Sequence, residues 1–245
     1  MKVGITGQSG FIGTHLARAV ESAADMELVP FEDSFFGSEP ELREFVRQCE
    51  VIVHLAAMSR APSEDELYDT NMGLVKKLIA ALDAEHVAPH VMFSSSTHEA
   101  RDTAYGRAKR DGRAALSAWA EDRGGTFTGF IFPNVYGPGA RVHYASFIAN
   151  FAWELNHGGK PTIQIDAPIR LIYIDNLVDI IMSTMRGKFI NDNSSGLRIS
   201  RYDVPCDFEK KVSGILSLFE SFKVAPPVSN DANIENLYNT FVSYK

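Results

Sequence analysis

The chain has 245 residues, of which 45% are hydrophobic and 22% are charged, and its formal net charge is −7. This length and composition predict a globular protein of one large domain, or of one domain with a small appendage. The acidic balance argues against a general nucleic-acid binder, which carries a basic face. No apolar run reaches the ~18 residues that a membrane span requires.

The cysteines, the histidines and the amino terminus do not indicate a disulfide-rich, metal-binding or secreted protein. Cys49 and Cys206 provide no disulfide framework, and the seven histidines form no paired cluster, so we expect no metal site. Residues 1–5, MKVGI, are already strand-like and contain no charged leader followed by an apolar stretch. These features predict a cytoplasmic protein with two reduced thiols.

Apolar strands alternate with amphipathic helices from residue 2 to about residue 137. Continuous apolar strands in such an alternation predict a parallel sheet covered on both faces, which is a Rossmann-type doubly wound α/β fold. The predicted strands are residues 2–6, 26–31, 51–55, 91–93 leading into the serines 94–96, and 126–132; the predicted helices are residues 11–20, 39–48, 67–86 and 104–122.

The pattern becomes irregular after residue 137. This change predicts a first domain over residues 1–137, to which part of 166–190 returns, and a small lobe over residues 138–245. Over residues 138–245 we predict helices at 145–156, 177–185 and 234–242. In the same region we predict extended segments around Ile163 and at 170–174, and a polar loop at 191–195.

A glycine-rich turn joins the first predicted strand to the first predicted helix. Its GxxGxxG spacing over residues 7–13 is a variant of the dinucleotide fingerprint, in which glycines allow the tight turn, the approach of a pyrophosphate and close helix–strand packing. The helix amino terminus adds free N–H groups and a partial positive charge. We therefore predict that this turn binds a dinucleotide, through Gly7, Ser9, Gly10, Phe11, Ile12 and Gly13.

Two acidic residues, Glu32 and Asp33, follow the second predicted strand. In dinucleotide-binding folds, an acidic residue at this place binds the adenosine ribose of the cofactor. A carboxylate accepts hydrogen bonds from both ribose hydroxyls and repels a 2′-phosphate. These residues therefore favour NAD over NADP, with two solvated loop charges and NADP use as the open alternatives.

The predicted helix at 104–122 carries Tyr105 and Lys109 four residues apart, nine residues after the run Ser94-Ser95-Ser96. Positions i and i+4 share one helix face. A lysine ammonium there favours the phenolate and lowers a tyrosine pKa from its ordinary value of about 10. Such a tyrosine can exchange a proton with an alcohol or carbonyl oxygen, which a serine hydroxyl can hold.

Together these motifs resemble the extended short-chain dehydrogenase/reductase superfamily, in its NAD-dependent epimerase/dehydratase group acting on nucleotide sugars. The resemblance covers about residues 1–190, with the motifs in the family's order. Its signatures are Thr6-Gly7-x-x-Gly10-Phe11-Ile12-Gly13, His54-Leu55-Ala56-Ala57, Asn71, Ser94-Ser95-Ser96, Tyr105-x-x-x-Lys109, Pro133-Asn134-Val135-Tyr136-Gly137-Pro138 and Arg170-Leu171-Ile172-Tyr173-Ile174-Asp175.

The resemblance implies a role for each matching residue. Tyr105 is the catalytic acid or base, Lys109 tunes it and holds the nicotinamide ribose, and Ser96 orients the reacting oxygen. The implied cofactor contacts further include Leu55, Ala56, Ala57, Asn71, Ser94 and Pro133. The nucleotide-sugar substrate is expected to meet Ser96, Asn134, Arg141 and Arg170, the last as the ligand of its diphosphate.

The residues after Ser96 bear on the type of reaction. Dehydratases of this superfamily have threonine, aspartate and glutamate here, whereas this chain has Ser96, Thr97 and His98, with Glu99 one residue late. Dehydration is therefore disfavoured. A 4-ketoreductase with Tyr105 as proton donor is favoured over a 4-epimerase that retains NAD, and a non-catalytic dinucleotide sensor is the third alternative.

A narrower resemblance is to the reductase part of capsular-polysaccharide enzymes of the UDP-N-acetyl-L-fucosamine pathway. Their reductase part ends in a segment similar to residues 236–241, NLYNTF, and continues into a cupin domain that has no counterpart before Lys245. The family also implies a homodimer formed through the helices that follow Leu67 and Ala104.

Overall fold

A computed structural model describes residues 1–187 and 199–245. The predicted polar loop at 191–195 lies outside the described residues. The chain divides into two compact units, Met1–Phe132 with Val178–Val204, and Pro133–Leu177 with Pro205–Lys245.

The described segments contain the following strands and helices. The strands are β1 (Lys2–Thr6), β2 (Glu27–Val29), β3 (Val51–His54), β4 (His90–Ser96), β5 (Thr126–Phe132), β6 (Asn134–Tyr136), β7 (Pro168–Tyr173), β8 (Ile199–Asp203) and β9 (Phe208–Lys211). The α-helices are α1 (Phe11–Glu21), α2 (Glu39–Gln48), α3 (Glu64–Glu85), α4 (Ala104–Arg123), α5 (Phe147–Asn156), α6 (Ile174–Met185), α7 (Val212–Val224) and α8 (Ala232–Val242).

The first unit is built on a parallel sheet in the order β2-β1-β3-β4-β5-β8. Its central strand β3 is buried throughout, as its apolar run Val51-Ile52-Val53 predicts. The sheet and its helices confirm the predicted Rossmann-type α/β fold. Because β1 pairs with β2 on one side and with β3 on the other, the strand order reverses at β1. Ligands bind parallel sheets at such a reversal, beyond the carboxyl ends of the strands.

Two boundaries in this unit differ from the prediction for local reasons. The predicted strand over residues 26–31 shrinks to β2, since Pro30 has no N–H to donate to a neighbouring strand. Helix α3 begins at Glu64 and not at Leu67, because the Ser63 hydroxyl accepts the Glu66 N–H and caps the helix three residues earlier.

The second unit contains a three-stranded sheet, β6-β7-β9, with α5, α7, α8 and the first four residues of α6. The ring of Tyr136 is fully buried there, between those of Tyr173 and Phe208. The predicted strand around Ile163 is wrong, because residues 161–167 form no strand. Of the apolar pair Ile163 and Ile165, the first is only partly buried and the second is 76% exposed. Strands β6, β8 and β9 and helix α7 were not predicted.

Candidate active site

The glycine turn lies between β1 and α1 and packs against the segment after β3. Gly7 has φ +71°, and a Cβ there would lie 2.8 Å from the Ala56 nitrogen. A Cβ on Gly13 would overlap the Gly7 carbonyl oxygen and lie 2.8 Å from Gln8 Cα. Any larger residue at either position is therefore excluded by backbone that cannot move independently.

The amino terminus of α1 leaves donors for an anionic ligand. The first-turn N–H groups of Phe11, Ile12 and Gly13 have no intrahelical acceptor, as in any α-helix. Gly10 at the cap position has no side chain that could accept them instead. Ser9 and Gly10 are exposed beside them. An open cradle of glycines at a helix amino terminus fits the pyrophosphate of a dinucleotide.

The acidic pair after β2 is linked to this turn. Ser9 Oγ donates to Asp33 Oδ2 at 3.0 Å, and Ser34 Oγ donates to Glu32 Oε2 at 3.4 Å. Both carboxylates are exposed. They therefore remain open to hydroxyl donors from solvent or from a ligand.

The segment after β3, which contains Leu55, Ala56 and Ala57, is held in place by Asn71 of α3. The Asn71 side chain accepts the Met58 N–H at 2.8 Å and donates to the Met58 oxygen at 2.9 Å and the Leu67 oxygen at 2.8 Å. Asn71 is 6% exposed. A buried amide that binds one residue's backbone in both directions fixes the path of the chain beside the glycine turn.

His54 is a buried polar group at the carboxyl end of β3. Its Nδ1 lies 2.6 Å from Thr6 Oγ1, its ring stacks on Phe93, and its Nε2 is buried without a hydrogen-bond partner among the described residues. Burial, with a smaller contribution from the nearby Lys109 ammonium, lowers the pKa of His54 to about 3. His54 is therefore neutral and serves as part of the core.

The three serines end β4 on alternating faces. Ser94 Oγ donates to the His54 oxygen of β3 at 3.2 Å, whereas Ser95 Oγ donates to the Glu99 carboxylate on the side of the sheet that α4 covers. Ser96 Oγ accepts the His98 N–H at 3.2 Å and begins the short 3-10 helix Thr97–Ala100. In this bond the Ser96 hydroxyl acts as the acceptor, which leaves its hydrogen able to reach a ligand oxygen.

Tyr105 and Lys109 lie in the first two turns of α4, which the Thr103 hydroxyl caps by accepting the Gly106 N–H. Lys109 Nζ lies 5.7 Å from the centre of the Tyr105 ring and 5.0 Å from that of Phe93. Its Nζ donates to the Ser94 carbonyl oxygen at 2.7 Å. The helix thus places the predicted proton-transfer pair beside the end of β4.

Burial changes the acidity of Lys109. The side chain is 4% exposed, and desolvation lowers its pKa to about 8, although the Glu99 carboxylate acts in the opposite direction. An amine with this pKa is mostly protonated at pH 7. The site therefore holds a positive charge at neutral pH and loses it above pH 8.

The remaining predicted site residues belong to the second unit. Asn134 of β6 lies beside Arg170 of β7, with Nδ2 3.5 Å from the Arg170 oxygen, and Arg170 Nε donates to Cys206 Sγ at 3.4 Å. Pro133 is buried, and Arg141 lies with its guanidinium 5.4 Å from the centre of the Tyr144 ring. Asn134 and Arg170 are thus neighbours, and Arg141 lies in the loop after β6.

Residues 1–187 and 199–245 contain neither a candidate metal centre nor a candidate membrane span. No group of three or more His, Cys, Asp or Glu side chains there is arranged to hold a metal ion. The helices in those ranges are all too short or too polar to cross a membrane.

Comparison with known sequences places this arrangement among known enzymes. Residues 3–189 match the NAD dependent epimerase/dehydratase family. The chain is also 34% identical, over 195 residues, to the UDP-2-acetamido-2,6-beta-L-arabino-hexul-4-ose reductase of Pseudomonas aeruginosa strain PA103. The matched region is 78% of this chain and 51% of the reductase, so the chain spans about half the length of that relative.

Solved structures share the fold of this chain. CapF, the capsular polysaccharide assembling protein of Staphylococcus aureus, is 26% identical with a TM-score of 0.81, over 100% of this chain and 65% of CapF. The UDP-glucuronic acid 4-epimerase of Bacillus cereus, solved with NAD, has a TM-score of 0.84 over 100% of this chain and 98% of its own, and at 16% identity it shows the fold alone. The predicted family and the resemblance to capsular-polysaccharide proteins are confirmed.

Proposed function

The chain belongs to the NAD dependent epimerase/dehydratase family, and from that premise we propose that it reduces the 4-keto group of a nucleotide sugar. Membership makes it an NAD(P)-dependent oxidoreductase or epimerase. The observation that carries the choice of reductase is the 34% identity, over 78% of this chain, to an enzyme named as a UDP-hexulose reductase.

The residues around the glycine turn would hold the dinucleotide. Its pyrophosphate would lie at the N–H groups of Phe11, Ile12 and Gly13, and its adenosine ribose at Glu32 and Asp33. When bound, the nicotinamide supplies the two electrons of the reduction. The small Ala56 and Ala57 leave room for a ligand at the carboxyl end of β3.

Proton transfer falls to residues of the chain. Tyr105 donates the proton that a reduced carbonyl oxygen requires, and Ser96 donates a hydrogen bond that orients the same oxygen. The buried ammonium of Lys109 stabilises negative charge as it develops on the phenolic oxygen. The deep burial of Lys109 strengthens this effect, because water screens it poorly there.

Elimination is disfavoured by the turn after Ser96. Thr97 and His98 stand where dehydratases carry aspartate and glutamate, and the His98 ring meets the Tyr105 ring edge-on, with centres 6.0 Å apart. Burial, and after it the charge of Arg101, lowers the pKa of His98 and favours its neutral form. An imidazole carries no negative charge in either protonation state, so it does not replace the carboxylate of a dehydratase. Asn134, Arg141 and Arg170 are proposed to bind the nucleotide sugar, with Arg170 on its diphosphate.

The test is reduction of 4-keto-6-deoxy sugars carried by UDP, TDP or GDP, with C4-deuterated NADH as the cofactor. We expect stoichiometric NADH oxidation and deuterium at C4 of the product sugar by NMR. An epimerase would interconvert two 4-hydroxy sugars without net NADH consumption. A sensor would quench NADH fluorescence and turn over none of these sugars.

Cofactor choice gives a second expected result. NADH should bind at least about tenfold more tightly than NADPH, since two carboxylates repel a 2′-phosphate by more than about 1.4 kcal/mol. The double variant E32Q/D33N should lose most of this preference, which fluorescence titration with both cofactors measures. E41Q, which removes an exposed carboxylate from α2, is the matched control and should keep the preference. Tighter binding of NADPH by the unmodified protein would contradict the assignment.

A further inference from the structure

Glu99 is a largely buried charge beside the proposed site, and the proposed reaction assigns no role to it. Its side chain is 11% exposed and that of Arg113, on α4, is 21% exposed. Arg113 Nε and Nη2 donate to the two Glu99 oxygens at 2.8 and 2.9 Å, and Ser95 Oγ donates to Oε1. A two-pronged arginine–carboxylate pair with a third donor is strong and fixed in direction.

Two glycines allow this pair to form. A Cβ on Gly129 of β5 would lie 2.6 Å from Arg113 Cδ, so the arginine stem crosses the strand where no side chain stands. A Cβ on Gly106 would overlap the His98 oxygen and lie 2.5 Å from the Arg101 oxygen. The turn after Ser96 is therefore packed directly on the first turn of α4. The ion pair between Glu99 and Arg113 joins the same turn to α4 at a second point, two helical turns after Gly106.

The same pair acts on the charge of Lys109. Arg113 follows Lys109 at i+4 on α4, so the two cations share one helix face, and like charges at this spacing repel. The other titratable neighbours are Tyr105 on α4, the neutral His54 on β3 and Glu99 itself. Glu99 is the anion of this group, and it raises the pKa of Lys109 against the effect of burial.

We propose that Glu99 is a positioning residue of the active site. It ties the turn that carries Ser96 to the helix that carries Tyr105 and Lys109, and its charge offsets that of Arg113, so that Lys109 stays protonated. This inference deepens the proposed reductase function and rests on it, because Lys109 supports proton donation by Tyr105 only in its charged form.

Two variants that break the same ion pair distinguish an electrostatic role of Glu99 from a purely structural one. E99Q removes the main counter-charge of Arg113, which keeps only the weaker interaction with Asp203 of β8. R113Q removes the main counter-charge of Glu99, which keeps only the weaker interaction with Arg201 of β8. Lysine labelled with ¹³C at Cε, with the Lys109 signal assigned by its loss in K109R, reports the Lys109 titration in the protein without substrate. The midpoint should fall by about half a pH unit or more in E99Q and rise by a similar amount in R113Q.

Turnover provides a second measurement. The alkaline limb of the pH profile of kcat should move to lower pH in E99Q and to higher pH in R113Q. R113K keeps the positive charge, so it should leave both this limb and the NMR midpoint unchanged. Should E99Q fail to fold, R113Q against R113K still makes the comparison. Shifts in the same direction for E99Q and R113Q, or a midpoint in R113Q equal to that of R113K, would overturn the proposal. Because the titration uses no substrate, the absence of sugar reduction would overturn the proposed function separately.

Discussion

Y105F should lower kcat/KM for the keto sugar by about 10²–10⁴-fold while leaving NADH affinity within about twofold of the unmodified protein. The phenyl ring keeps the packing against His98 and the position over Lys109. What disappears is the hydroxyl that donates the proton. Stopped-flow NADH oxidation and fluorescence titration measure the two quantities on one preparation.

Y68F is the control for this prediction. Tyr68 of α3 also carries a partly buried hydroxyl, which donates to Asp111 Oδ2 of α4 at 2.9 Å. Its loss should cost about 1 kcal/mol of stability and leave kcat/KM nearly unchanged. If Y105F retained full turnover, Tyr105 would not be the proton donor.

G13A should abolish detectable dinucleotide binding and lower the free energy of unfolding by about 1–3 kcal/mol. The added methyl group would overlap the Gly7 carbonyl oxygen and press on Gln8 Cα. The turn and α1 would have to separate, which displaces the N–H groups proposed to bind the pyrophosphate. Urea unfolding and NADH fluorescence titration test the two effects.

G73A is the matched control, because Gly73 lies inside α3 and a Cβ there meets no atom within 4 Å. Alanine should be neutral or should stabilise the helix by about 0.5–1 kcal/mol, with unchanged NADH binding. Normal NADH affinity in G13A would contradict the assignment of residues 7–13 to the cofactor.

The predictions that rested on local periodicity were the most successful. The strand predicted at 51–55 is Val51–His54, and the helix predicted at 104–122 is Ala104–Arg123. The strand predicted at 126–132 has those bounds in the structure. The segment around Ile163 failed because an apolar pair becomes a strand only when another strand lies beside it. Strand β8 pairs with β5 more than sixty residues earlier in the chain, a partner that no local pattern identifies.

The sequence by itself determined the glycine turn, the i, i+4 placement of Tyr105 and Lys109, and the family, since these depend on backbone geometry and spacing within a few residues. Only the tertiary structure decided which side chains surround that pair. Asn71 forms hydrogen bonds with the backbone of Met58, thirteen residues earlier in the chain. Arg113 forms an ion pair with Glu99, fourteen residues earlier, and its side chain passes over Gly129. The burial that lowers the pKa of Lys109 to about 8 likewise arises from strands and helices distant in the chain. Spacing fixes which groups can share a helix face, whereas desolvation and charge pairing depend on what the fold packs against that face.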